Sequence, residues 1–185
     1  IIPVIYYFTS KEFILSFVGI GTILMIALDI LKAYTITFEK LYKMFFHFIL
    51  REDEKDYKRN LFTGGTYYAI GIFLALLLFP KEVAILSILI MIWCDTLAAL
   101  VGKIFGRRKI IGTKTLEGSL AFTLMGFILL FILQNIFPDF NYYKAGFITV
   151  FLAAVFEQLS LFKINDNLSL PLFSGFVFIT INNII

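Results

Sequence analysis

Seven stretches of nearly uninterrupted apolar side chains follow one another along this chain, and few folds are open to a polypeptide built that way. They run Ile1 to Phe8, Phe13 to Ala33, Thr66 to Phe79, Val83 to Val101, Ser119 to Phe137, Ala145 to Leu161 and Leu168 to Ile185. A bilayer-spanning helix needs about 20 mostly apolar residues, and most of these stretches approach that length. Of the 185 residues, 60% are hydrophobic and 16% charged, and the mean hydropathy is +0.92. A soluble domain is nearer half apolar and a quarter charged. A chain this short still leaves much of its surface exposed, so the surplus cannot vanish into one core and must face lipid. The expectation is an all-α polytopic integral membrane protein with about seven transmembrane helices in the complete chain. Residues 1–185 would form one transmembrane catalytic domain, with no room for a separate soluble one. Ile1 to Phe8 is only a third of a span and reads as the tail of a helix, not as a signal peptide.

Punctuation supports these divisions. Pro80-Lys81 separates two blocks and Pro138-Asp139 ends another, while Pro171 fits the first turn of the last helix. The single cysteine (Cys94) and single histidine (His47) exclude an internal disulfide, a cysteine-built metal site and a zinc site made of several imidazoles. Any catalysis must rest on carboxylates, Lys/Arg and backbone. The net charge of +3 gives no reason to expect nucleic acid.

If the chain changes sides at each block, the 16 Lys and Arg divide very unevenly. Only Lys11, Lys81 and Lys144 fall on one side, and all the others fall on the opposite side. The positive-inside rule makes the rich side cytoplasmic. Ile36 to Leu50 is not a span. Phe38, Leu41, Phe45 and Phe48 recur at helical spacing with Lys40, Lys43 and His47 on another face, so it reads as an interfacial helix on the cytoplasmic surface. Arg51 to Arg59 reads as a solvated connector.

Carboxylates inside a bilayer are costly and are functional candidates by default. Asp95 lies within its block, about two turns below the cytoplasmic end. Glu157 lies near the end of the sixth stretch, Glu117 opens the fifth and Asp166 precedes the last. All gather at one side. Ala98, Ala99, Gly102 and Gly106 above Asp95 permit close helix approach, or give a ligand room to descend. Asp29 has Lys32 one turn on, and the two are expected to pair and to snorkel toward the surface.

The segment from Lys103 to Ser119 carries Lys103, Arg107, Arg108, Lys109 and Lys114 among Gly106, Gly112 and Gly118. Glycines let backbone N–H groups approach an anion and the cations neutralise it. The segment feeds a helix start near Glu117 to Ser119, where free N–H groups favour phosphate. It is not a P-loop, because no Gly-x4-Gly-Lys-Ser/Thr occurs. Orientation or lipid contact accounts for Arg107, Arg108 and Lys109, but not for the order Gly112-Thr113-Lys114-Thr115-x-Glu117-Gly118-Ser119. Lys58-Arg59 and Thr63-Gly64-Gly65-Thr66 add cations and a glycine pair at another cytoplasmic helix start. A basic loop facing carboxylates suggests Mg²⁺ bridging carboxylate and phosphate oxygens, the pattern of a nucleoside triphosphate site on a membrane surface.

The order Asp95-x2-Ala98…Gly102-x3-Gly106…Gly112-Thr-Lys-Thr-x-Glu117-Gly-Ser119 resembles the CTP-dependent polyprenol kinases. These include dolichol kinase, phytol kinase and the yeast-type diacylglycerol kinase, a group related to phosphatidate cytidylyltransferases. Thr63-Gly64-Gly65-Thr66, Glu157 and Asp166-Asn167-x3-Pro171 look like the same family, so the resemblance covers Arg51 to Phe173. It implies CTP as γ-phosphoryl donor, Mg²⁺, and a lipid alcohol acceptor. By resemblance Gly112, Thr113, Lys114, Glu117 and Gly118 belong to the CTP-binding loop, Asp95 is a metal ligand or base, and Asp166-Asn167 closes the site. Two departures stand out: Asn165-Asp166-Asn167 replaces a pair of acids, and the family's N-terminal Arg-Lys…His stretch is absent.

The resulting expectation is phosphoryl transfer at the cytoplasmic interface. Lys114, Arg107 or Arg108 and the Glu117 helix start would hold phosphates, with Ser119, Lys58 and Asn167 nearby. Asp95, with Glu157 or Asp166, would hold Mg²⁺ or take the hydroxyl proton. Asp95 and Asp166 are the expected metal ligands. Two rivals remain: a cytidylyltransferase that attacks the α-phosphate, and a transporter or non-enzymatic membrane protein using Asp95 and Glu157 as a cation path. The acceptor and the oligomeric state stay open.

Overall fold

The computed structural model describes residues 1–34, 61–112, 114–159 and 165–184. The interfacial helix read at Ile36 to Leu50, the connector Arg51 to Arg59 with Lys58, and Thr113 lie outside the described residues.

Each apolar block is a helix. α1 covers Ile2–Phe8, α2 Lys11–Tyr34 and α3 Gly64–Leu78. α4 is one 25-residue helix, Lys81–Phe105, in which Ile90–Asp95 takes a π-helical turn between two α-helical parts. α5 is Leu116–Ile136, α6 Tyr142–Leu159 and α7 Asp166–Ile184. Between α4 and α5 stands the two-stranded antiparallel hairpin β1 (Lys109–Ile111) and β2 (Lys114–Thr115). Among the described residues, α2, α4, α5 and α7 are long and apolar enough to cross a bilayer, and α3 is shorter at 15 residues.

Large apolar side chains cover the outside as well as the core. On α5, Leu120, Leu124, Ile128 and Phe131 follow one another down a single face, each more than half exposed. An apolar stripe of that extent on a helix surface belongs in hydrocarbon, and the chain is an integral membrane protein.

α7 is the hub of the bundle and packs against α3, α4 and α6. Glycines set the closest approaches, as expected where lipid-embedded helices associate by van der Waals fit. A Cβ on Gly126 of α5 would fall 2.3 Å from Val150 of α6, and one on Gly146 of α6 would fall 2.5 Å from Leu130 of α5. The same pair of helices thus exchanges a knob and a hole in both directions. Pro171 lies inside α7, one turn later than expected. Its missing N–H leaves the Asn167 carbonyl without its usual helical donor, and that carbonyl instead abuts Gly71 of α3, where a Cβ would come within 2.3 Å.

At the Lys-poor end, two of the three cations close helix ends. Lys11 Nζ donates to the carbonyls of Leu77 (3.1 Å) and Phe79 (3.0 Å), and Lys81 Nζ to those of Tyr7 (2.9 Å) and Thr9 (3.1 Å). Each satisfies carbonyls that a helix C-terminus leaves open and complements its dipole.

Candidate functional site

The opposite end of the bundle collects the C-terminal ends of α2, α4 and α6 with the N-terminal ends of α3, α5 and α7, and the carboxylates with them. The basic loop, expected as irregular chain, is the β1–β2 hairpin. Gly112 turns it with φ +59°, a left-handed conformation that glycine adopts without steric cost. The Arg108 carbonyl accepts from Leu116 N at 2.9 Å, fixing the hairpin to the start of α5. Glu117 Oε2 accepts from the backbone amides of Arg107 and Arg108 at 3.2 and 3.3 Å. The Glu117 carboxylate therefore organises the loop, while the Arg107 and Arg108 residues remain exposed.

Thr115 caps α5, its Oγ1 accepting from Gly118 N at 3.2 Å. It also fills the space above Asp95. A Cβ on Gly102 would lie 3.0 Å from Thr115 Oγ1, and one on Gly118 would lie 2.9 Å from the Ala98 carbonyl oxygen. The small residues of α4 thus admit the start of α5, in keeping with close helix approach. Asp95 ends the π-helical turn, half-buried, on a segment packed against α5 and α7.

Lys114 is turned inward by the hairpin. Its Nζ lies 2.7 Å from Glu157 Oε1 and 3.0 Å from Asp166 Oδ2, and it donates to the Glu157 carbonyl as well. Burial works against the ammonium, but hydrogen bonds and charge from Glu157 and Asp166 outweigh it and raise the Lys114 pKa above the ordinary lysine value. Sequence reasoning missed Gln158, whose Nε2 donates to the Thr115 carbonyl at 3.2 Å. The signal was there in a Glu-Gln pair at the end of an otherwise apolar helix. Two oxygens of this cluster, Glu157 Oε2 and Gln158 Oε1, are buried without a hydrogen-bond partner among the described residues, as is Ser119 Oγ near the start of α5. Unmet acceptors of this kind are costly, and a ligand group or cation would satisfy them.

Consecutive residues at the start of α7 reach in two directions. Asp166 holds Lys114, and Asn167 Nδ2 donates to the Gly64 carbonyl at 3.3 Å. The Thr63-Gly64-Gly65-Thr66 turn is anchored from α2. Asp29 Oδ2 accepts from Thr63 N (2.7 Å), Thr63 Oγ1 (3.1 Å) and Thr66 Oγ1 (2.6 Å), while Oδ1 lies 2.8 Å from Lys32 Nζ. The Asp29–Lys32 pair forms as expected, but it does not snorkel. Its side chains are 2% and 1% exposed, held in by the α3 hydroxyls.

Among the described residues no three or more His, Cys, Asp or Glu converge as a metal cage. Mg²⁺ commonly takes one or two carboxylates and fills its remaining positions with phosphate and water. Glu157 and Asp166, drawn together on Lys114 with one Glu157 oxygen unmet, fit that habit.

No protein-family model matches this chain, and no solved structure does. Among curated proteins it is 30% identical over 174 residues to CTP-dependent diacylglycerol kinase 1 of Schizosaccharomyces pombe, covering 88% of this chain and 78% of that protein. It is 26% identical over 183 residues to CTP-dependent diacylglycerol kinase 1 of Eremothecium gossypii, covering 88% of this chain and 56% of the relative. A dolichol kinase of Schizosaccharomyces pombe is 30% identical over 131 residues, covering 65% of this chain and 25% of the relative. With a diacylglycerol kinase relative aligned over most of both sequences, the chain belongs to the CTP-dependent lipid kinase family.

Proposed function

We propose that this chain transfers the γ-phosphoryl group of CTP to the hydroxyl of a membrane lipid alcohol, at the end of the bundle that carries Lys114. The observation that carries this reading is the Lys114 ammonium shared by two carboxylates, one with a buried unmet oxygen, at the foot of a basic hairpin. The family names CTP and lipid alcohols, and the Lys/Arg asymmetry supports a cytoplasmic site.

Lys114, pre-charged by its acidic partners, receives phosphate oxygens. The exposed Arg107 and Arg108, on the segment that leads into the same hairpin, would screen the rest of the triphosphate. Glu157 takes the proton from the lipid hydroxyl. The alcohol oxygen forms its bond to the γ-phosphorus as the bridging bond to the β-phosphate breaks, and CDP leaves with that electron pair. Asp166, with Asp95 or Glu157, would hold Mg²⁺, which supplies charge neutralisation to the phosphates when bound. Asn167 and Glu117 position the elements that carry these groups. Holding the reactants in line and neutralising charge accounts for most of such a barrier.

The test is label transfer in liposomes with Mg²⁺, using CTP labelled at either the γ- or the α-phosphate and a panel of lipid alcohols with phosphatidic acid. γ-Label in the lipid is expected. α-Label in the lipid would make the chain a cytidylyltransferase, and no transfer from either would favour the transport reading.

A further inference from the structure

Between α2 and α3 the bundle leaves a cleft of about 510 Å³. Its walls are Phe17, Gly21 and Met25 on one side and Gly65, Ala69 and Ile72 on the other. The lining is hydrocarbon and backbone apart from Thr22 and Tyr68, and the Thr22 hydroxyl is already bonded to the Val18 carbonyl at 2.8 Å. Along α3 the cleft extends from Ile72 to Gly65, roughly 10 Å of helix. Phe17, Ile20 and Leu24 at its margin are 58%, 62% and 58% exposed, so it opens sideways onto the lipid-facing surface. At its upper end Gly65 adjoins Gly64, whose carbonyl is held by Asn167, and the preceding residue, Asp166, holds Lys114.

We infer that this cleft holds the hydrocarbon tail of the acceptor lipid and presents its hydroxyl end past Gly65 toward Lys114 and Asp166. The inference rests on the kinase reading above and adds where the acceptor lies. Three features select a lipid chain as occupant. The walls offer a chain no unmet polar group in the stretch next to Thr22. The long axis follows the membrane-spanning helices, and the open side is continuous with the bilayer-facing surface. A polar ligand would leave its own groups unmet there.

Gly21 supplies the probe. A Cβ on it meets nothing within 4 Å, and its helical backbone accepts any side chain. Gly21→Phe therefore starts a bulky side chain from open space at the wall of the cleft. Initial rates would be taken on the full-length protein in mixed micelles, with long- and short-chain alcohols and diacylglycerols. The apparent KM for long-chain acceptors should rise roughly tenfold or more, as expected from displacing a few methylenes, with a much smaller rise for Gly21→Ala. Short-chain acceptors should be affected much less, and the KM for CTP should not move. Equal effects on long and short acceptors, or none, would overturn the assignment.

Photolabelling separates this from the kinase reading, since it needs no turnover. A lipid alcohol with a diazirine in its tail should label α2 and α3 peptides in wild type and lose that label in Gly21→Phe. Labelling of the cleft without phosphoryl transfer would overturn the kinase reading and leave the cleft assigned. Transfer with labelling elsewhere, such as the outer face of α5, would overturn the cleft. Loss of stability in Gly21→Phe with unaltered labelling would do the same, marking a protein segment as the occupant.

Discussion

Lys114 holds one carboxylate oxygen of Glu157 at 2.7 Å while the other oxygen of the same group is buried with no hydrogen-bond partner among the described residues. The two halves of that carboxylate are thus separated into a positioning half and a free one. Glu157→Gln should lower kcat by about a hundredfold or more if the free oxygen takes the hydroxyl proton, with the KM for CTP little changed. Lys114→Ala should instead raise the KM for CTP by roughly tenfold to a hundredfold, the worth of a charge-assisted hydrogen bond. Steady-state kinetics on both variants decide it. The reverse pattern would exchange the two roles.

The raised pKa of Lys114 fixes a pH signature. A cation whose folded pKa exceeds its unfolded value contributes stability that is fully present below the unfolded value and lost as pH rises through the folded one. The wild-type advantage in melting temperature over Lys114→Met should be flat through neutral pH and decline only above about pH 10.4. Thermal unfolding in detergent across that range measures it, and a decline centred near neutrality would contradict the geometry.

Asp29 and Lys32 are buried as a pair, and removing Asp29 takes away both the carboxylate facing Lys32 and the acceptor of Thr63 and Thr66. Asp29→Ala should cost about 3–5 kcal/mol and release the Thr63 to Thr66 turn. The double variant Asp29→Asn, Lys32→Met should recover much of that loss. Chemical unfolding of the three proteins provides the comparison, and an additive double variant would show that the ion pair carries no coupling.

Gly118 lies against the Ala98 carbonyl, which cannot rotate away. Gly118→Ala should destabilise by about 1–3 kcal/mol through overpacking and reduce transfer more than its stability loss explains, because it pushes α5 from the helix that carries Asp95. Activity measured on protein confirmed as folded separates the two effects.

Glu117 binds the amides of Arg107 and Arg108, so its removal should free the hairpin before it harms the chemistry. Glu117→Ala should speed trypsin cleavage after Arg107 and Arg108 severalfold, the response of a loop whose local opening has become easier. Glu117→Gln, which keeps an acceptor, should stay near wild type.

The helices were legible because their signal is long and redundant. Each block carries enough apolar residues that a few errors of boundary leave the element intact, and proline and lysine punctuate the ends. Local features were harder. The π-helical turn at Ile90–Asp95 lies in a run of apolar side chains that would suit either helix type. The short hairpin has glycine and basic residues where a strand usually shows alternation. Pro171 read as a first-turn residue because sequence does not show that Gly71 gives the Asn167 carbonyl somewhere to go. At the site, residue types and their common side were readable, and Lys114, Glu157 and Asp166 do come together. Which acid meets which cation was not, since Glu157 and Asp166 reach Lys114 only through the packing of α6 and α7. Snorkelling failed for the Asp29–Lys32 pair for the same reason, because the hydroxyls of Thr63 and Thr66 that hold Asp29 come from the start of another helix.

Asp166 and Asn167 are neighbours on one rigid turn, yet one is bonded to the hairpin lysine and the other to the α3 backbone. A shift at either end must therefore be felt at the other. Thermodynamic reciprocity then requires that any effect of one occupant on the other's binding be returned by the same factor, so binding at the hairpin lysine and binding beside α3 would be coupled rather than independent.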